Sequence, residues 1–309
     1  MSLIRPTDDQ FAEVPFAQRY ACDHLEVPLD GLDQRGRVAV VDQPAASETR
    51  GTFLLLHGEP SWSALYEHWI GELTGLGFRC VAPDLIGFGR SDKVTDDDWY
   101  TYERHVGVIA RVIRELDLRD VQLVVQDWAG PIGLRQLVDM PDRFARTFVF
   151  NTWLHRDGYV YGDGVRVWRS MAVDPDRLGG DMPTGRIVSG TMRRPDHDLD
   201  ALRHTYDAPF TTPESKAGAR AFPTMLPFEQ PERGGAAEQA LCFRALTSEP
   251  PCPVHVAFGD ADPVFPFEQG AELAELIPGA TLDRITQAGH FVQADAPADC
   301  LDVIRRRLA

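Results

Sequence analysis

A chain of 309 residues with 47 acidic and 31 basic side chains carries a formal net charge of −16 with histidine neutral, the reverse of the basic excess that nucleic acid selects and a balance that an anionic membrane surface repels. Its 43% hydrophobic content is too high for a disordered chain, and its length is ample for one large α/β domain, with or without a smaller inserted one. The start, MSLIRPTDDQFAEVPF, has no apolar signal core, and the longest aliphatic runs are far short of a bilayer span.

Strands are expected at 24–29 and 37–42, joined by the turn residues Asp30-Gly31-Leu32-Asp33. The apolar run 52–56 ends in His57-Gly58 and suits a strand buried on both faces. Residues 63–76 repeat apolar side chains at helical spacing (Leu65, Trp69, Leu73, Leu76) and stop at Gly77. A strand at 78–82 leads into Pro83-Asp84 and the turn Ile86-Gly87-Phe88-Gly89. After an acidic loop, Asp96-Asp97-Asp98, comes a long amphipathic helix over 100–116. A strand at 121–125 runs into Asp127-Trp128; a helix at 131–138 and a strand at 144–150 follow. From 153 to about 228 the alternation stops, in a stretch rich in Gly, Pro, Arg and Asp with short helical patches. It resumes with a helix at 236–246, a strand at 253–258, a helix at 266–276, a strand at 281–285 and a last helix at 297–308. Alternating β and α units predict a mostly parallel eight-stranded sheet with helices on both faces. The interruption after the sixth strand predicts a core of 1–152 and 230–309 with an inserted helical cap at 153–229.

In such a sheet the ligand site lies at the carboxyl ends of the strands. The residues there are His57-Gly58-Glu59-Pro60, Asp127-Trp128, Asn151, Asp262 and His290. The run 124–130 sits where an α/β-hydrolase places its strand–elbow–helix turn, but Asp127 stands at the nucleophile position in place of serine, followed by small Ala129 and Gly130. A carboxylate is already ionised at neutral pH, needs no base to attack a saturated carbon, and forms an ester on displacing its leaving group. The bland alternative is that Asp127 caps the following helix. Against it stands the rest of the constellation. Thr286-Gln287-Ala288-Gly289-His290-Phe291 follows the last strand and offers a base; Gly259-Asp260-Ala261-Asp262 follows the strand before it and offers two candidate acids. The order nucleophile, acid, histidine is that of the α/β-hydrolases.

These residues resemble those of a haloalkane dehalogenase over nearly the whole chain. The segments that carry the resemblance are His57-Gly58-Glu59-Pro60-Ser61-Trp62-Ser63, Ala82-Pro83-Asp84-Leu85-Ile86-Gly87-Phe88-Gly89-Arg90-Ser91-Asp92, Val125-Gln126-Asp127-Trp128 and Ala288-Gly289-His290-Phe291-Val292-Gln293. The second is common to many α/β-hydrolases; the first and third are specific. The resemblance implies an α/β-hydrolase fold, an Asp–His–Asp triad, a backbone oxyanion hole at Glu59 and Trp128, and two halide-holding side chains, with no metal and no organic cofactor. One subgroup of the family has Asn after His-Gly and its acid after the sixth strand; the other has Glu there, a second cap Trp and its acid after the seventh. Glu59, Asn151 and Asp262 select the second subgroup, so Asp262 takes the acid role. The cap segment 167–175 resembles the one carrying the second Trp, which assigns halide binding to Trp128 and Trp168, with Trp153 as a rival for the cap position. By the same resemblance Phe222, Pro223 and Val264 line the substrate pocket. Pro131, where close relatives have an aromatic residue, and Ala129 for the commoner Gly leave the preferred chain length open.

The partners so implied are a small halogenated alkane and a halide ion, with no nucleic acid or membrane, in a monomeric, cytoplasmic protein. The five scattered cysteines, Cys22, Cys80, Cys242, Cys252 and Cys300, form no C-x-x-C and suit reduced thiols. Two rivals stay open. An epoxide hydrolase shares the fold and triad and would need cap tyrosines, for which Tyr159, Tyr161 and Tyr206 are available; a non-catalytic hydrolase-like binding protein would need no triad at all. Other features read blandly: Asp196-His197-Asp198 as a solvated loop rather than a metal site, Gly87-Phe88-Gly89 as a turn rather than a dinucleotide motif, and Arg305-Arg306-Arg307 as cations at a helix end.

Overall fold

The computed structural model describes residues 2–308. In chain order its regular elements begin with β1 (Leu3–Ile4), α1 (Pro15–Arg19), β2 (Asp23–Val27), β3 (Gly36–Gln43), β4 (Thr52–Leu55), α2 (Ile70–Gly75), β5 (Arg79–Pro83) and β6 (Lys93–Val94). They continue with α3 (Tyr102–Glu115), β7 (Val121–Gln126), α4 (Ala129–Asp139) and β8 (Phe144–Phe150). Four helices follow: α5 (Asp163–Val173), α6 (Thr184–Gly190), α7 (Leu199–Asp207) and α8 (Ala217–Thr224). The chain ends with α9 (Ala236–Ser248), β9 (Val254–Gly259), α10 (Phe267–Leu276), β10 (Thr281–Ile285), α11 (Val292–Asp295) and α12 (Pro297–Leu308).

Eight strands form one sheet in the order β10-β9-β8-β7-β4-β5-β3-β2, while β1 and β6 pair separately. Within the eight-stranded sheet the pairings of β2 with β3 and of β3 with β5 are antiparallel and the rest are parallel. This is the mostly parallel α/β-hydrolase sheet that the alternation predicts. Side chains alternate across it. Phe53 and Leu55 of β4, with Val124 of β7, enter one core layer; Leu54, Leu123 and Val125 enter the layer on the other face. With both faces covered, β4, β7 and β9 are buried throughout, which is why they are rich in apolar residues without a polar face.

The expected helix over 63–76 is split into a 3-10 turn, Ser63–Tyr66, and the short α2. Long-range bonds explain the break. Ser63 N–H donates to Asp84 Oδ1 at 2.7 Å, Tyr66 O–H to Leu56 C=O at 2.7 Å, and Trp69 Nε1–H to Gln293 C=O at 3.1 Å. These anchors fix the chain against the sheet, and the intrinsic preference of a segment rich in Gly and aromatic residues is too weak to oppose them. Between β8 and β9, α5 packs against α8 and α6 against α7, whereas α9 packs back on α4. The carboxyl ends of β7, β9 and β10 deliver Asp127, Asp262 and the His290 loop to one edge of the sheet, beneath those four helices.

Candidate active site

Asp127 follows the last residue of β7 and adopts a left-handed backbone (φ 50°), a conformation that costs a non-glycine residue about 1 kcal/mol or more. The turn is held from outside. Asp127 N–H donates to Asn151 C=O at 3.0 Å, and Asp127 C=O accepts from Thr152 Oγ1–H at 2.5 Å and from Gly130 N–H at 2.8 Å. The carboxylate caps no helix amide. Its Oδ1 accepts Glu59 N–H at 2.8 Å, and its Oδ2 lies 3.5 Å from His290 Nε2. Gly58 makes this approach sterically possible: a Cβ there would lie 2.4 Å from both Cβ and Oδ1 of Asp127. The Trp128 amide, which resemblance pairs with that of Glu59, donates to no protein acceptor among the described residues.

His290 Nδ1 meets Asp262 Oδ2 at 2.9 Å. Asp262 is fixed in turn: Oδ1 accepts Val264 N–H at 2.7 Å, and Oδ2 accepts Asn151 Nδ2–H at 2.8 Å. Asp260, the other candidate acid, faces away; it accepts Gln287 N–H at 2.8 Å and braces the turn after β10. Burial pulls the imidazole toward its neutral form, but Asp262 and Asp127 outweigh it and push the pKa up to about 10. The Gln126 amide, with Nε2 at 3.1 Å from His290 Nε2 and 3.2 Å from its C=O, works the other way, favouring a neutral ring whose proton sits on Nδ1. Glu59 is buried beside Asp127, and burial first, then that negative charge, raises its carboxyl well above the usual range.

Glu59, Asp127 and His290 open on a cavity of about 730 Å³, whose walls include Trp168, Met171, Ile187 and Val264. Trp128, Phe222 and Pro223 are not among its walls: Trp128 sits next to Asp127 and is itself buried, and Phe222 and Pro223 are buried in α8, with Phe222 packed on Trp128 at a centroid distance of 5.3 Å. The six indoles divide into two sets. Those of Trp62, Trp69 and Trp99 donate to backbone carbonyls. Those of Trp128, Trp153 and Trp168 find no protein acceptor among the described residues, and Trp153 Nε1 is fully buried. Trp153 lies edge-on to Trp128 at 4.9 Å and stacks on Phe265 at 5.1 Å. The three tyrosines between β8 and β9 stand elsewhere: Tyr161 O–H meets His155 Nδ1 at 3.0 Å, Tyr159 O–H points to Gln269 Oε1 at 3.4 Å, Tyr206 is buried, and none lines the cavity.

Two roles escape a reading of the sequence. Asn151 was visible as a non-acid after the sixth strand, yet its amide is what holds Asp262. Gln126 was visible, with Gln122, as a polar residue of a strand buried along its whole length, where an amide must find a partner. That signal points to a bond but not to its partner, since His290 is far away in sequence.

The α/β-hydrolase fold family is matched over residues 51–297. A haloalkane dehalogenase of Psychrobacter cryohalolentis is 36% identical over 303 residues, spanning 96% of this chain and 94% of that protein. Haloalkane dehalogenase 1 of Mycobacterium tuberculosis is 42% identical over 248 residues, 79% of each chain. Among solved structures, the tetrameric haloalkane dehalogenase DpaA from Paraglaciecola agarilytica NO2 aligns with a TM-score of 0.85 at 31% identity, covering 99% of this chain and 97% of that one.

Proposed function

The chain belongs to the haloalkane dehalogenase family, hydrolases that convert a haloalkane to an alcohol and a halide ion, and we propose that it does so in two steps through an ester on Asp127. The carrying observation is the division of labour between the two carboxylate oxygens. Glu59 N–H holds Oδ1 at 2.8 Å, which leaves Oδ2 to attack the halogen-bearing carbon. The C–O bond forms as the C–halogen bond breaks, and no proton moves. The departing halide is received by the indole N–H groups of Trp128 and Trp168, which are donors only and are not spent on protein acceptors. Esterification removes the charge of Asp127, so the pKa of His290 falls and its neutral ring is available as a base. The ring takes a proton from water as the water attacks the Asp127 carbonyl carbon. Asp262 holds the imidazolium and its tautomer. Oδ1, now carrying the negative charge, stays on the Glu59 amide, with the free amide of Trp128 as its second donor. Collapse hands the proton to the leaving alcohol oxygen, and the regenerated acid ionises to solvent.

His290→Gln tests this. Rapid mixing with 1,2-dibromoethane is expected to release one bromide per site and then stop, with the alkyl group found by mass on the peptide that contains Asp127. Absence of the burst, or normal turnover, would overturn the two-step assignment. The epoxide reading needs a phenol aimed at the substrate oxygen; the three cap tyrosines are engaged or buried away from the cavity, which favours the halide reading.

In this reading residues 153–229 form the cap, and of the pocket residues Val264 touches substrate directly while Phe222 and Pro223 act from behind Trp128. The protein works as a monomer: its exposed large apolar side chains, Val160, Val167, Leu199, Leu241, Leu276 and Leu282, are spread over six separate segments, where a permanent interface wants a continuous apolar face. Its five unpaired thiols suit the reducing cytoplasm.

A further inference from the structure

The turn that carries His290 is held by a carboxylate outside the triad. Asp295, the last residue of α11, has a side chain with 0% exposure. Its Oδ2 accepts Gly289 N–H at 2.7 Å and Arg193 N–H at 3.0 Å. Its Oδ1 accepts Arg194 N–H at 3.1 Å and meets His197 Nε2 at 2.6 Å. One of these donors is the residue immediately before His290, and the other three belong to the loop between α6 and α7. The same loop is tied down beside them, because the Arg194 guanidinium donates to Thr286 C=O at 3.1 Å and pairs with Asp299. Contact is direct as well: a Cβ on Gly289 would lie 1.8 Å from Thr191 C=O, so only glycine lets the two backbones meet there. Thr191 and His290 both face the catalytic cavity. Asp127 takes no part in this cluster; its supports come from Glu59, Asn151 and Thr152.

We propose that Asp295 is a positioning residue that joins the cap loop 191–197 to the His290 turn, so that seating the cap and placing the base are one event. A buried carboxylate shared by four donors has a narrow set of satisfactory positions, and each donor constrains the others. Because the nucleophile is supported separately, loosening this joint is felt by the step that needs His290 and hardly by the step that does not. The inference rests on the two-step reading above.

The test compares the parent enzyme, Asp295→Asn and His197→Gln in single-turnover mixing with 1,2-dibromoethane. It follows bromide release and ester decay separately and includes a thermal melt of each protein. Asparagine keeps the shape but turns one acceptor into a donor facing donors. Asp295→Asn is expected to keep the bromide burst within about threefold while ester decay slows roughly 10- to 100-fold, the scale on which misplacement of a reacting group acts. His197→Gln, which keeps the carboxylate and its three amide donors, is expected to slow decay about three- to tenfold. The double variant is expected to be no slower than Asp295→Asn alone, since the two residues act as one unit. Unchanged decay in Asp295→Asn, an equal fall in both steps, or effects that multiply in the double variant would each overturn the proposal. Should Asp295→Asn fail to fold, unchanged decay in His197→Gln does the same. A parent enzyme that forms no ester at all refutes the two-step reading, which is a different result from a parent that forms it and variants that hydrolyse it normally.

Discussion

His290 stands between two carboxylates that are not equivalent during turnover. In the proposed mechanism Asp127 becomes an ester and Asp262 does not. The raised pKa of the resting ring, about 10, therefore belongs to a state that precedes the step in which the ring works. Hydrolysis needs the neutral ring, so ester decay is expected to fall about tenfold per unit as pH drops below the pKa of the ring in the ester. Bromide release moves no proton and is expected to lack that limb. Single-turnover traces between roughly pH 5 and 9 check both, and parallel profiles for the two steps would contradict the assignment of the base. The indoles make a second residue-scale prediction. Trp168→Phe keeps the apolar ring and removes one donor to an anion, a bond of about 1.5–3 kcal/mol. Bromide binding, read by quenching of tryptophan fluorescence, is expected to weaken roughly 10- to 100-fold. An unchanged affinity would remove Trp168 from the halide site and return attention to Trp153, whose N–H is also unpartnered.

At the scale of elements, strand ends were the most legible feature. The strand expected at 144–150 is β8 to the residue, and the one expected at 281–285 is β10. Such runs are short and fully or half buried, and turn residues bound them, so local pattern and burial agree. The segment 63–76 shows where local pattern loses. Its apolar spacing is helical, but Asp84 takes the Ser63 amide into a long-range bond, and it takes the Arg90 amide as well at 2.8 Å. Asp84 thus ties the start of this segment to the turn after β5. Asp84→Ala leaves both buried amides unpaired and is expected to cost about 2–5 kcal/mol, seen as a lowered midpoint in chemical denaturation. A loss below about 1 kcal/mol would mean that the segment is held by its aromatic anchors alone.

For the molecule as a whole, the charge of −16 and the chemistry pull in opposite directions. The mean field disfavours an anion, yet each turnover makes a halide beside a carboxylate. In the proposed mechanism the halide is held by local, directed N–H donors and not by net charge. The same field favours uncharged substrates and assists departure of the anion. Light scattering during size exclusion is expected to report the mass of one chain, even though a solved structure that aligns over 97% of its own length is tetrameric. A stable tetramer would show that the scattered exposed side chains understate the available interface.

The sequence by itself determined the fold class and the family, and it pointed to Asp127 as nucleophile and His290 as base, because each is carried by local chemistry: periodicity of 2 or 3.6, an Asp where a serine elbow stands, a Gly-His after the last strand. It narrowed the acid to Asp260 or Asp262, and resemblance to a family favoured Asp262. Only the tertiary structure decided how that acid is held, because the amide that fixes it comes from Asn151, 111 residues earlier in the chain. The same holds for Gln126 beside His290 and for Asp295 beneath the cap loop. Buried polar groups must be satisfied, and that much is readable from a polar residue in an apolar run; which group satisfies them depends on which strand ends and loops the closed sheet and the inserted helices bring together.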